Sequence, residues 1–178
     1  MQPIDFRGYS GDCLVHGRLD IPTEARLTDF LNSSLVFAIH ETKFYALHDG
    51  RAVEAGDQEL AANELWAVEP TDTGKTPWHA DLHQEAIRAV HVEIEMLPYT
   101  ITGTLHRLRN RGPIAKSKGK RRQMVPLTDA EVRFNYMGHE ITRQTPVVVF
   151  NRNRATRIRR LPSAVPVASF RAEVVTTG

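Results

Sequence analysis

Apolar and polar residues alternate with a period of two through much of this chain, and the alternating runs are short. In HVEIEML (91–97), polar His91, Glu93 and Glu95 separate apolar Val92, Ile94 and Met96. That spacing puts one face of an extended segment in a core and the other in water. YTITGTLH (99–106), EVRFNYM (131–137), PVVVF (146–150) and ATRIRRL (155–161) continue the pattern. Earlier in the chain, CLVHGRLDI (13–21), LVFAIH (35–40), KFYAL (43–47), RAVEA (51–55) and ELWAV (64–68) read as strands of the same kind. Gly50 and Gly138 fall between strands, where a hairpin turn needs a positive φ.

The two strand sets resemble each other in sequence. VFAIHETKF (36–44) lies over MVPLTDAEV (124–132) at an offset of 88, pairing Ile39 with Leu127, Glu41 with Asp129 and Phe44 with Val132. Gly50 meets Gly138 at the same offset. HGRL (16–19) matches TGTL (102–105) at 86, and NELWAV (63–68) matches NRATRI (153–158) at 90. Drifts this small are what loop insertions between corresponding strands produce. The predicted units are residues 1–70 and 91–161, with a tail over 162–178.

Between the units, residues 71–90 carry the best helical signal. Thr76 can cap, Pro77 suits a first turn, and Trp78, Leu82, Ala86 and Ala89 share a helical face. Five short strands in about 60 residues leave two exposed edges unless the sheet bends strongly on itself. The predicted fold is therefore mainly β. It has two tandem five-stranded, strongly bent small barrels joined by a short helical linker.

Charge changes this picture more than composition does. The chain of 178 residues has 23 Lys+Arg and 21 Asp+Glu, a net +2. Residues 1–78 hold 6 basic and 13 acidic side chains (−7), whereas residues 79–178 hold 17 and 8 (+9). An acidic unit followed by a basic one suggests head-to-tail self-association, or an anionic partner for the second unit alone. The single cysteine, Cys13, excludes an intrachain disulfide framework and reads as a buried, inert thiol. No apolar run approaches the ~20 residues of a membrane span. The start, MQPIDFRGYSGD, lacks the apolar stretch of a secretion signal. A cytoplasmic protein is expected.

The segment VHGRLDIPTEARLTDFLNSSLVF is similar to the first signature of Sm-like proteins, with Gly17, Leu19, Asp29, Asn32 and Leu35 at its positions. ELAANELWAV (59–68), including Asn63, would take the place of the second signature. The resemblance covers about two-thirds of the chain at the level of fold. It implies a five-stranded bent sheet that assembles edge to edge into rings, and single-stranded RNA bound near the Asn side chain. In the second unit, AKSKGKRRQ (115–123) replaces the Asp-Phe-Leu-Asn segment.

Candidate chemistry is confined to cations and histidines. Lys116, Lys118, Lys120, Arg121 and Arg122 crowd one loop, and Arg152, Arg154, Arg157, Arg159 and Arg160 form a second basic segment. These are candidate contacts to phosphates or to an acidic protein surface. The loop lacks the interleaved aromatics on which bases stack. His79 and His83, four residues apart, are weak candidates for a metal pair, since no third ligand is identifiable and HADLHQE is not HExxH. No nucleophile elbow, phosphate loop or dinucleotide fingerprint occurs, so no catalytic residue and no cofactor is assigned. The expectation is a non-enzymatic binding or assembly module acting through protein contacts, first of all with itself. RNA or single-stranded DNA binding is the alternative, and a metal-dependent hydrolase the remote one.

Overall fold

The computed structural model describes residues 1–71, 87–108 and 123–162. The predicted basic loop from Lys116 to Arg122, the histidines His79 and His83, and the predicted helical residues Thr76 to Ala86 lie outside these described residues. The last of the residues assigned to the helical face, Ala89, belongs instead to a strand, where it pairs with His106.

Ten strands account for most of the described residues. The first five are β1 (Gln2–Tyr9), β2 (Cys13–Ile21), β3 (Val36–Ala46), β4 (Ala52–Ala61) and β5 (Ala67–Pro70). The second five are β6 (Ile87–Met96), β7 (Tyr99–Leu108), β8 (Met124–Tyr136), β9 (His139–Asn151) and β10 (Arg157–Arg160). One short helix, α1 (Leu27–Ser33), follows β2, and a single 3-10 turn (Arg152–Arg154) precedes β10. No helix among the described residues is long and apolar enough to cross a membrane.

The strands form one open antiparallel sheet in the order β10-β6-β7-β8-β9-β5-β1-β2-β3-β4. Two separately closed barrels are not what these pairings draw. The halves are continuous because β5 pairs with β9, Ala67 opposite Phe150 and Val68 opposite Val149. Within each half the fifth strand lies beside the first, giving β5-β1-β2-β3-β4 and then β10-β6-β7-β8-β9. Among the described residues, the free edges of the sheet are therefore β4 and β10.

Three local corrections follow from the backbone. Residues 35–40 and 43–47, expected as two strands, are one strand, β3, bent at Glu41, whose φ is +54°. The register of β3 against β4 shifts there, between Ile39 and Thr42. Asp129 in β8 has φ +48°, and the β8–β9 pairing skips it. Strand β1 was not predicted, although Ile4, Phe6 and Gly8 alternate with Pro3, Asp5 and Arg7; a proline and a glycine in eight residues hide a strand. Helix α1 falls where the alternation predicts no element. Leu27 and Leu31 stand one turn apart and are wholly buried, so packing of this apolar face holds the helix.

Gly17 and Gly103 lie where a neighbouring strand comes close. A Cβ on Gly17 would lie 2.5 Å from Ile39 Cγ2 and 3.1 Å from the carbonyl oxygen of His40. One on Gly103 would lie 3.2 Å from the Thr128 carbonyl oxygen and 3.3 Å from Ala130. Both glycines sit where the register slips, at His16/Arg18 and Thr102/Thr104, and let the next strand fold down onto them. Gly50 and Gly138 have φ of +70° and +78° at their hairpins, as expected.

The core has two clusters, each drawing on both halves. One gathers Tyr9, Leu14 and Leu47 with Ile94, Tyr99, Ile101, Phe134 and Phe150. Its aromatic centre crosses the halves, with Tyr9–Tyr99 ring centroids 5.3 Å apart and Tyr9–Phe134 5.9 Å apart, both edge-on. The other joins Ile4, Phe6, Leu19, Leu27, Leu31 and Leu65 to Met124 and Val149. Each such side chain contributes about 1.5–3 kcal/mol by leaving water, so the halves share much of their stabilisation.

Candidate functional site

The densest polar arrangement lies on the junction between the halves. Arg7 and Glu69 face each other across β1 and β5. Glu69 is 5% exposed, and a carboxylate so placed must be paired. Its Oε2 accepts from Arg7 Nη1 at 3.3 Å and from the Tyr9 hydroxyl at 2.7 Å. Its Oε1 accepts from Arg143 Nη2, on β9, at 3.3 Å. One acid thus ties β1, β5 and β9 together. Burial, then the charge and hydrogen bond of Glu69, push the Tyr9 phenol far above its usual range.

Arg7 also donates from Nε to His16 Nε2 at 3.1 Å, which places the imidazole proton on Nδ1. Burial, then Arg7 and Arg143, lower the His16 pKa below the ordinary imidazole value, with Glu69 opposing. The His16 ring leans on Tyr45, centroids 4.9 Å apart. Over this group opens a shallow cleft of about 240 Å³, walled by Arg7, His16, Tyr45, Phe134, Tyr136 and Arg143 among others.

Main-chain contacts also join the halves. Asn151 N–H donates to Trp66 O at 2.7 Å and Met137 N–H to Leu47 O at 2.7 Å. Asn32, implied by the resemblance to face RNA, spends its amide here. Its Nδ2 donates to Thr28 O and Met124 O, and its Oδ1 accepts from the N–H groups of Gln123 and Met124, all within 3.0 Å. It fastens α1 to the start of β8. Asp29 lies in the first turn of α1.

The basic segment is similarly engaged. Arg154 donates from Nε and Nη2 to Asn63 O, at 3.0 and 2.6 Å, and its guanidinium stands 5.8 Å over the Trp66 ring. The structure brings these two sequence candidates, Arg154 and Asn63, together across the junction. Arg157 pairs with Glu95 at 3.5 Å, and Arg159 binds Glu93, which also lies 3.7 Å from Arg133. Arg152 and Arg160 are exposed. Cys13 is half-buried, its thiol pushed up to about 11 by burial and by Asp12. No group of three or more metal-binding side chains occurs among the described residues.

The two free edges differ in chemistry. Glu54, Asp57 and Glu59 stand exposed on β4, along with Val53. All four residues of β10 are exposed, Arg157, Ile158, Arg159 and Arg160. Sequence reasoning missed Arg7, Tyr9, His16, Glu69 and Arg143. Arg7 and Glu69 are 62 residues apart, and nothing local marks them as partners. Comparison with protein-family models, with curated proteins and with solved structures finds no match for this chain.

Proposed function

We propose that this chain is a non-enzymatic assembly module made of two small, bent five-stranded units of Sm-like or SH3-like kind, whose free edges β4 and β10 pair between copies. The observation that carries this reading is the inner junction. There β9, fourth strand of the second half, pairs with β5, fifth strand of the first. Strands β4 and β10 hold the corresponding fourth and fifth positions of their halves and, among the described residues, lack that partner. The offset of 90 converts Ala67 opposite Phe150 into Arg157 opposite Leu60 of a second copy, and Val68 opposite Val149 into Ile158 opposite Glu59. An acidic edge then meets a basic one, and half-exposed Ile158 is covered. Repeating a head-to-tail contact closes a ring when the rotation permits, and three copies would give six units.

The nucleic-acid reading has less support. Arg154 is already spent within the chain, on the Asn63 carbonyl oxygen and the Trp66 ring. The test is light scattering with size exclusion across a salt series, with absorbance read for co-purified nucleic acid. The expected result at low salt is a particle of about 60 kDa, three times the 20.1 kDa chain. Ile158→Lys should shift it to monomer. A wild-type monomer at low salt and high concentration overturns the reading, and nucleic acid in the purified particle would favour the alternative.

A further inference from the structure

The junction cleft has unequal charge. Arg7 and Arg143 both lean on the one carboxylate of Glu69, and His16, held neutral as the acceptor of the Arg7 bond, adds none. Among the described residues, two guanidiniums against one acid leave one positive charge beside aromatic walls. Burial weakens its screening, so a monoanion is the species that balances it. Arg143 donates only from Nη2 among the described contacts, and its Nε is buried without an acceptor. Its side chain is 38% exposed, against 16% for Arg7, so Arg143 is the cation that the mouth of the cleft presents.

Shape and lining narrow the ligand. Tyr45, Phe134 and Tyr136 offer ring faces and edges, which suit a flat apolar body. About 240 Å³ is below the usual range of drug-sized pockets, so the body is one ring rather than two. A doubly charged phosphate would overcompensate the site and leave the aromatic walls uncovered. We infer that this cleft is a binding site for a small aromatic monocarboxylate, its ring against Tyr45 and Tyr136 and its carboxylate on the Arg143 guanidinium. A planar fork matched to a planar carboxylate is the strongest polar contact such a site can make. The inference is independent of the edge pairing, since every residue it uses belongs to the inner junction.

The experiment uses the full chain and benzoate as probe, read by calorimetry and by amide chemical-shift changes. The expected result is saturable binding with shifts centred on His16, Tyr136 and Arg143, and at least about ten-fold weaker binding of neutral benzamide, the difference a charge-assisted contact makes. Arg143→Met should weaken benzoate by about ten-fold or more, and Arg143→Lys by less, since the charge stays and the fork goes. Tyr136→Leu, which leaves the charges alone, should weaken it several-fold. Equal binding of benzoate and benzamide, inorganic phosphate binding as tightly as benzoate, or an unchanged affinity in folded Arg143→Met each overturns the inference. So does the absence of saturable binding at millimolar benzoate.

Discussion

Replacing Glu69 with Gln tests whether the junction is held by its buried acid. The side chain keeps its size, and one amide oxygen can still accept from the Tyr9 hydroxyl, so packing and that hydrogen bond survive. What disappears is the charge that Arg7 and Arg143 share. The two arginines do not count equally. Arg143, 38% exposed, can turn to water, and its surface-like share is discounted to below about 1 kcal/mol. Arg7, 16% exposed and bonded on its other side to His16, cannot leave without breaking the β1–β2 face. Stranding one partner of a buried pair costs about 3–5 kcal/mol, and residual access for Arg7 sets the expectation near the lower end, about 3 kcal/mol. Chains of this size lose roughly 2–4 °C per kcal/mol, so Tm should fall by about 6–12 °C. The assay is urea unfolding followed by circular dichroism with linear extrapolation, at equal m-values. Combining Glu69→Leu with Arg7→Leu should cost less than the sum of the two single changes, because neither charge is left behind. A loss under about 1 kcal/mol for Glu69→Gln would show that water screens the cluster, and the reasoning would fail.

Four further outcomes follow from the same geometry. His16 has a folded pKa lowered by burial and two arginines, so the unfolded chain binds its proton first. Its contribution is therefore intact above the ordinary imidazole value near 6.5 and is lost as pH falls below it; stability against pH should show this descent in wild type and not in His16→Gln. The Cys13 thiol, pushed up to about 11, should alkylate at pH 8 about a hundred-fold more slowly than a free thiol, measured with iodoacetamide. Gly17→Ala puts a methyl 2.5 Å from Ile39 and should destabilise by about 1–3 kcal/mol in the same urea assay, with a neutral result refuting the close approach. At Glu41, φ +54°, Val should be less stable than Gly by about 1–2 kcal/mol, because a β-branched residue does not fit that bend.

What the sequence made legible was whatever depends on neighbours along the chain. Period-two alternation located nine of the ten strands at least in part, and the glycines between them marked two hairpins. The bend of β3 was not legible, because Glu41 is a residue that rarely takes a positive φ, and the close approach of Ile39 and His40 to Gly17 is a contact between strands. Asn32 shows the limit of motif reasoning. Its place in a signature suggested a ligand contact, yet the four groups it binds include the main chain of residues 123 and 124, ninety residues on. The Glu69 cluster was invisible for the same reason. Its members come from β1, β2, β5 and β9, and only the pairing of β5 with β9 brings Arg143 to the acid.

The charge asymmetry also acquires a physical form. Arg7 opposite Glu69 in the first half corresponds to Glu93 opposite Arg159 in the second, at the same cross-strand position with the signs exchanged. The offsets are 86 and 90, those that relate the sequence segments around them. Inside the chain the pair is completed by Arg143, which shares the buried Glu69 carboxylate. Under the proposed edge pairing the outer equivalent of Arg143 is Val53 of the next copy, which offers no charge to the outer pair. The two junctions would then differ in kind. The inner one, with a buried acid and a shared core, persists under any condition that keeps the chain folded. The outer one rests on exposed arginines and acids with a single isoleucine between them, and surface charges of this sort lose most of their attraction beyond a Debye length of about 8 Å at physiological salt. Subunit exchange should therefore accelerate steeply with ionic strength while the unfolding midpoint of the chain hardly moves. Mixing two fluorescently labelled samples across a salt series would measure it, and an exchange rate independent of salt would refute the distinction.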